Sequence, residues 1–222
     1  MQDLGTLPGG SYSYAYGVSA DGRVVVGVAD SSAGWRAFRW ENGVMQDLGT
    51  LPGGTGSEAY GVCVSADGRV VVGYATNAAG QGRAFRWENG VMRDLGTLPG
   101  GSWSHAYGVS ADGAVVVGAS YNANWEGRAF RWTVDGGMED LNTTYVSLLT
   151  DGSVLEVARA ISPDGRYIVG WGRNAATNRT EAFLLDTQGT PPCTLDGDVN
   201  GDGRVDDADL LEVLFNFGSQ CP

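Results

Sequence analysis

The chain has 222 residues and a formal charge of −12, with 26 acidic side chains against 14 basic ones, every basic one an arginine. So acidic a balance lacks the electrostatic footprint of a nucleic-acid or anionic-membrane binder. No apolar run reaches about 18 residues, which argues against a helical membrane span, and no signal peptide is legible at Met1, so export would need a signal outside this chain.

In chain order, one sequence returns almost four times. Copies open at Met1, Met45, Met92 and Met138, roughly 46 residues apart, a period typical of propellers, solenoids and arrays. Within a copy, short Val-, Tyr-, Phe- and Trp-rich runs alternate with Gly, Pro, Asn and Asp clusters, the pattern of strands joined by tight turns. The first copy predicts strands at AYGVS (15–19), RVVVGVA (23–29), RAFRW (36–40) and VMQDLG (44–49). Asp21 and Gly22 turn the first hairpin, and Asn42 and Gly43, which tolerate positive φ, turn the last. Each copy is therefore a four-stranded antiparallel meander. Cys63 and Val64 are a two-residue insertion in the second copy, and an even insertion keeps Val62 and Val64 on one face of a pleated strand.

A four-stranded unit of this length predicts an all-β chain, a β-propeller of four-stranded blades over 1–187. The chain opens on a fourth-strand sequence, and the last copy supplies ARAIS, RYIVGWG and EAFLLD with no fourth strand. Met1 to Leu4 pairing with the last blade would close a four-bladed ring and remove its exposed edges. An open array or a piece of a larger ring are the alternatives.

Residues 188–193 read as a linker, broken by Pro191 and Pro192, and 194–222 as a separate module holding seven acids and one arginine. There Asp198, Asn200, Asp202, Asp206 and Asp209 fall at positions 1, 3, 5, 9 and 12 of a Ca²⁺ loop. Gly203 makes its sharp turn and Arg204 offers its backbone carbonyl. The apolar LLEVLF that follows reads as one short helix. Cys193 and Cys221 bracket the loop, and a disulfide between them would staple a module too small for its own core, contributing about 3 kcal/mol. Such a bridge points to an oxidising compartment. Cys63 reads as a buried small hydrophobe.

Two family resemblances follow. The loop with Asp209 at its last ligand position resembles the calcium loop of type I dockerins, which implies a cohesin-like partner, although dockerins carry two such loops and this chain has one. The repeats resemble the HAF repeats of extracellular proteins, through Ala37-Phe38, Ala84-Phe85, Ala129-Phe130 and Ala182-Phe183. Where that family has His, this chain has Arg36, Arg83, Arg128 and Glu181. The resemblance implies an exported or cell-surface protein and no particular activity.

Candidate ligand contacts are expected on the rim where loops vary between copies, since variation on a rigid frame is where binding concentrates. Those loops carry Tyr12, Tyr14, Trp35, Trp103, His105, Tyr121, Asn122, Asn124 and Trp125. Aromatic faces beside amides suit sugars or a protein partner, and the competing reading is that they fold back to seal the rim. Trp40, Trp87 and Trp132 read as core. His105 is the sole histidine, no nucleophile motif stands near it, and the recurring Asp3, Asp47, Asp94, Asp140 and Asp21, Asp67, Asp112, Asp164 read as folding residues. The expectation is a monomeric, non-catalytic extracellular recognition module with a Ca²⁺-binding tail for attachment, its rim binding glycan or extracellular protein. The alternatives are a glycoside hydrolase or polysaccharide lyase, or a structural cell-surface protein.

Overall fold

The computed structural model describes residues 1–58, 64–149 and 151–188, and Met1–Thr187 form one compact unit. Four antiparallel sheets follow one another along the chain. The first holds β1 (Ser13–Val18), β2 (Val24–Ala29), β3 (Arg36–Glu41) and β4 (Val44–Asp47). The second holds β5 (Ser57–Glu58), β6 (Val71–Thr76), β7 (Gly82–Glu88) and β8 (Val91–Asp94). The third holds β9 (Gly101–Val109), β10 (Val115–Asn122), β11 (Gly127–Thr133) and β12 (Gly137–Asp140). A short helix, α1 (Leu141–Thr144), and a 3₁₀ turn at Val146–Leu148 lead into a three-stranded fourth sheet, β13 (Val154–Ile161), β14 (Tyr167–Asn174) and β15 (Arg179–Asp186).

Turn chemistry sets these meanders. Asn42 and Gly43 have φ of 51° and 83°, and Asn89 and Gly90 repeat those values. Two successive left-handed residues form the mirror-image turn whose twist matches paired strands. The first hairpin of each sheet is built by a serine and an aspartate. Ser19 Oγ donates to Asp21 Oδ1 (2.7 Å) and accepts from Val24 N (3.0 Å), while Asp21 Oδ1 accepts from Arg23 N. Ser65 with Asp67, Ser110 with Asp112, and Ser162 with Asp164 repeat the arrangement.

Period-two alternation gives each sheet two apolar faces. Val24, Val26 and Ala37 of the first sheet meet Val71, Ala75, Phe85 and Trp87 of the second. Val70, Val72 and Ala84 on the other face of the second sheet meet Val116, Phe130 and Trp132 of the third. The third and fourth sheets join through Val117, Ala129, Ile168 and Leu185. Phe38, Phe85 and Phe130 are fully buried, each stabilising the fold by about 2 to 3 kcal/mol. Trp40, Trp87 and Trp132 are buried beside them, in the core as expected.

Polar ties repeat at the seams. Ala20 N donates to Ala66 O, Ala66 N to Ala111 O, and Ala111 N to Pro163 O, a ladder running across all four sheets. Arg39 Nε donates to Gly68 O (2.8 Å) and Arg86 Nε to Gly113 O (3.1 Å). Ser57 Oγ accepts from Ala37 N and donates to Gly49 O; Ser104 Oγ does the same with Ala84 N and Gly96 O.

The expected pairing of Met1 to Leu4 with the last sheet is not found. Residues 1–12 contain no strand, the fourth sheet has three strands, and Leu4 and Leu7 pack on Ala29, Phe38 and Trp40 of the first sheet. Leu48 and Leu51 occupy the same position on the second sheet. Apolar anchoring by the two leucines, rather than a backbone ladder, holds this segment. Val64 of the second-copy insertion is buried and bridges to Val71. Cys63, the Cys193–Cys221 bridge and the loop residues Asp198, Asn200, Asp202, Arg204, Asp206 and Asp209 lie outside the described residues.

An aromatic rim as candidate functional site

The loops joining the second and third strands of the second and third sheets share an Asn-built turn. Asn77 Oδ1 accepts from Ala79 N and Gln81 N; Asn122 Oδ1 accepts from Asn124 N (2.9 Å) and Glu126 N (3.0 Å). Asn122 Nδ2 also donates to Glu126 Oε2 (2.7 Å), so this amide is engaged in its own turn. Side chains such as these replace backbone pairing where the chain reverses.

One residue breaks the economy of that turn. Gly80 takes the left-handed position with φ of 73°, and Trp125 stands there in the third sheet with φ of 60°. A bulky residue in this region costs about 1 to 2 kcal/mol that glycine does not. Strain of this kind is a pointer to function. Trp125 is 61% exposed, so it is not held there by burial.

The rim around Trp125 is a continuous run of rings. Trp103 and Trp125 have centroids 5.4 Å apart, Trp125 and Tyr121 5.9 Å, Tyr121 and His105 5.8 Å, and His105 and Tyr74 4.7 Å. His105 Nδ1 lies 3.1 Å from the Tyr107 hydroxyl, and burial pushes its imidazole below the usual histidine range. Tyr14 and Trp35 form a separate pair on the first sheet at 6.2 Å, with Tyr12 exposed nearby in sequence. The structure therefore gathers Trp103, His105, Tyr121 and Trp125, while among the described residues Tyr14 and Trp35 pair with each other and Tyr12 is exposed without a ring contact.

Beside Trp125 and Tyr121 opens a groove of about 540 Å³ between the third and fourth sheets. It is also lined by Glu126, Arg128, Glu156, Trp171 and Arg173. Trp171, Glu156 and Arg173 were not among the expected contacts. Their signal in the sequence is divergence: Glu156 stands where Ser13, Ser57 and Ser104 stand in the other copies.

The recurring carboxylates are structural. Asp3, Asp47 and Asp94 each accept from the N–H of a following glycine, and Asp140 from Asn142 N. Asp21, Asp67, Asp112 and Asp164 are held below the usual carboxylate range first by their serine hydroxyls and then by a backbone N–H. Among the described residues no cluster of His, Cys, Asp or Glu is arranged to hold a metal, and no helix is long and apolar enough to cross a membrane.

Neither a known protein family nor a curated protein matches the sequence. Solved structures do match the fold. TolB from Acinetobacter baumannii aligns with a TM-score of 0.53 at 16% identity, over 78% of this chain and 40% of that one. A TolB protein from Agrobacterium tumefaciens aligns with a TM-score of 0.51 at 16% identity, over 81% of this chain and 60% of that one. This is a propeller-type fold. The chain spans less than two thirds of either protein, and at this identity the likeness concerns architecture alone.

Proposed function

We propose that the protein is a non-catalytic recognition module whose aromatic rim binds a glycan or an extracellular protein. The observation that carries the reading is Trp125, an exposed ring kept in a left-handed turn where another copy has glycine. Strained and exposed side chains persist where the surrounding structure and a selected role maintain them. Its neighbours Trp103 and Tyr121, tilted to it by 34° and 50°, extend the aromatic surface that sugar rings or a partner's side chains can contact. The propeller fold shared with the TolB structures supports a scaffold for such a surface.

The sequence supports the remainder of this reading. The ordered ligands from Asp198 to Asp209 support a Ca²⁺ site, and Cys193 with Cys221 supports a disulfide around it. The tail over 194–222 then serves attachment, by a cohesin-like or other partner, in an extracellular or cell-surface setting. The chain acts as a monomer.

Glu126 and Glu156 line one groove, which favours glycoside hydrolysis as the second reading, since that chemistry uses two carboxylates. Incubating the protein with a panel of polysaccharides, with Ca²⁺ and with chelator, tests both. Retained protein without released sugar supports glycan recognition, released sugar supports hydrolysis, and the absence of both removes hydrolysis and glycan binding and leaves a protein ligand or a structural role.

A further inference from the structure

The seam between the third and fourth sheets is built differently from the other two, and Arg128, one of the residues that differ, faces the groove. At the first seam Arg36 donates to Thr55 O (2.7 Å), and at the second Arg83 donates to Ser102 O. Both side chains also lie within ion-pair reach of Asp47 and Asp94, respectively, and are largely covered. Arg128 holds the same place in its copy, yet among the described residues it makes no hydrogen bond or ion pair, and it is exposed.

The connection that follows differs as well, with Asn142 and α1 in place of the Gly49 and Gly96 turns. Asn142 takes over the bridging role: its Nδ2 donates to Leu155 O (2.9 Å) and its Oδ1 accepts from Leu155 N (2.7 Å). Leu155, opposite Gly172, thus holds the place that Ser57 and Ser104 hold opposite Ala75 and Ser120, and Glu156 follows it at a register shift with no side-chain hydrogen bond or ion pair among the described residues. The result is a guanidinium released from the task its equivalents perform and a carboxylate with no hydrogen-bond or ion-pair partner among the described residues, in one groove with the rings of Tyr121, Trp125 and Trp171.

Resting on the recognition reading above, we infer that this groove binds a neutral pyranose of a polysaccharide. A planar carboxylate accepts from two adjacent hydroxyls and a planar guanidinium donates to two, while an indole covers the apolar face of the ring. The charged lining is balanced, with Glu126 and Glu156 against Arg128 and Arg173. The chain as a whole carries −12, a balance that disfavours a polyanionic glycan.

The test is affinity electrophoresis and calorimetry of the full chain with neutral polysaccharides (β-1,3-glucan, xylan, mannan, galactan) and acidic ones (polygalacturonate, dextran sulfate). The variants are R128Q, E156Q and W125G. The inference expects retention on a neutral polymer, weakened at least tenfold by R128Q and by E156Q and lost in W125G. Circular dichroism and melting should be unchanged in R128Q and E156Q, because neither side chain ties the fold. Retention on acidic polymers alone overturns it. Neutral binding that R128Q and E156Q leave intact but W125G abolishes overturns the groove assignment while leaving the aromatic-rim reading standing. No retention on either class overturns the pyranose assignment, and capture of a protein ligand by the rim would then still sustain the broader reading.

Discussion

Trp125 and Gly80 occupy the same corner of the same repeated turn, one an indole at φ 60° and the other a glycine at φ 73°. The third sheet thus keeps a residue that its own repeat shows to be dispensable for the turn. Replacing Trp125 by Gly should relieve about 1 kcal/mol of backbone strain while forfeiting ring contacts of similar worth with Trp103 and Tyr121. Denaturant unfolding should therefore move by less than about 1 kcal/mol, whereas ligand retention should vanish. A loss of more than about 2 kcal/mol would make Trp125 a structural residue.

The serine–aspartate turns make stability fall in acid. Asp21, Asp67, Asp112 and Asp164 have lowered carboxyl values in the folded state, caused first by Ser19, Ser65, Ser110 and Ser162. A group with a depressed folded value stabilises fully above its unfolded value, near 3.8 here, and loses that contribution as pH falls through the folded value. Melting temperature should hold above about pH 5 and drop below about pH 4. Ser110→Ala should flatten the drop and cost about 1 to 2 kcal/mol at neutral pH, because Val115 N loses its buried-side partner. An acid limb unchanged in Ser110→Ala would refute the assignment.

Two arginines at equivalent positions should respond unequally to the same change. Arg86 Nε is satisfied by Gly113 O, whereas Arg131 Nε is buried with no hydrogen bond among the described residues and only a 3.8 Å approach to Glu139. Arg86→Met should cost about 1.5 to 3 kcal/mol, and Arg131→Met distinctly less. Equal losses in urea titrations would contradict the seam geometry.

Gly118→Ala should be among the most damaging single changes. A Cβ there would run into the carbonyl oxygen of His105 and the ring of Phe130. Overpacking at such a close backbone approach costs about 1 to 3 kcal/mol or more. Soluble expression and melting temperature would report it, and a variant as stable as the parent would show that β9 and β10 can separate.

For the tail, Asp198→Ala with Asp209→Ala should abolish Ca²⁺ binding measured by calorimetry, since both supply carboxylate ligands to the proposed loop. Unchanged affinity would remove the loop assignment.

Much of the fold could be read from the repeat because its turns carry their own chemistry. Asn42 and Gly43 announce a mirror-image turn, and Asp21 with Gly22 a hairpin, so sheet order followed from local residues alone. The N-terminal segment was misread for the opposite reason. Its sequence matches a fourth strand, but what fixes it is Leu4 and Leu7 against Phe38 and Trp40, a tertiary contact that no local pattern encodes. Trp103, Tyr121 and Trp125 were legible as loop aromatics. Arg128 was not legible as a site residue, because its freedom is visible only once the bonds of Arg36 and Arg83 are known, and Glu156 was passed over although it diverges from the serines of the other copies.

The ladder from Ala20 through Ala66 and Ala111 has a direction, each N–H pointing to the next carbonyl. It arrives at Pro163, which receives a proton donor and has none to pass on. The repeat thus contains its own stop signal. A string of identical edges is a template for endless addition, the hazard of any regular array. Here one imino acid leaves the last rung without an N–H, so a further copy could not be joined by the next bond of this ladder.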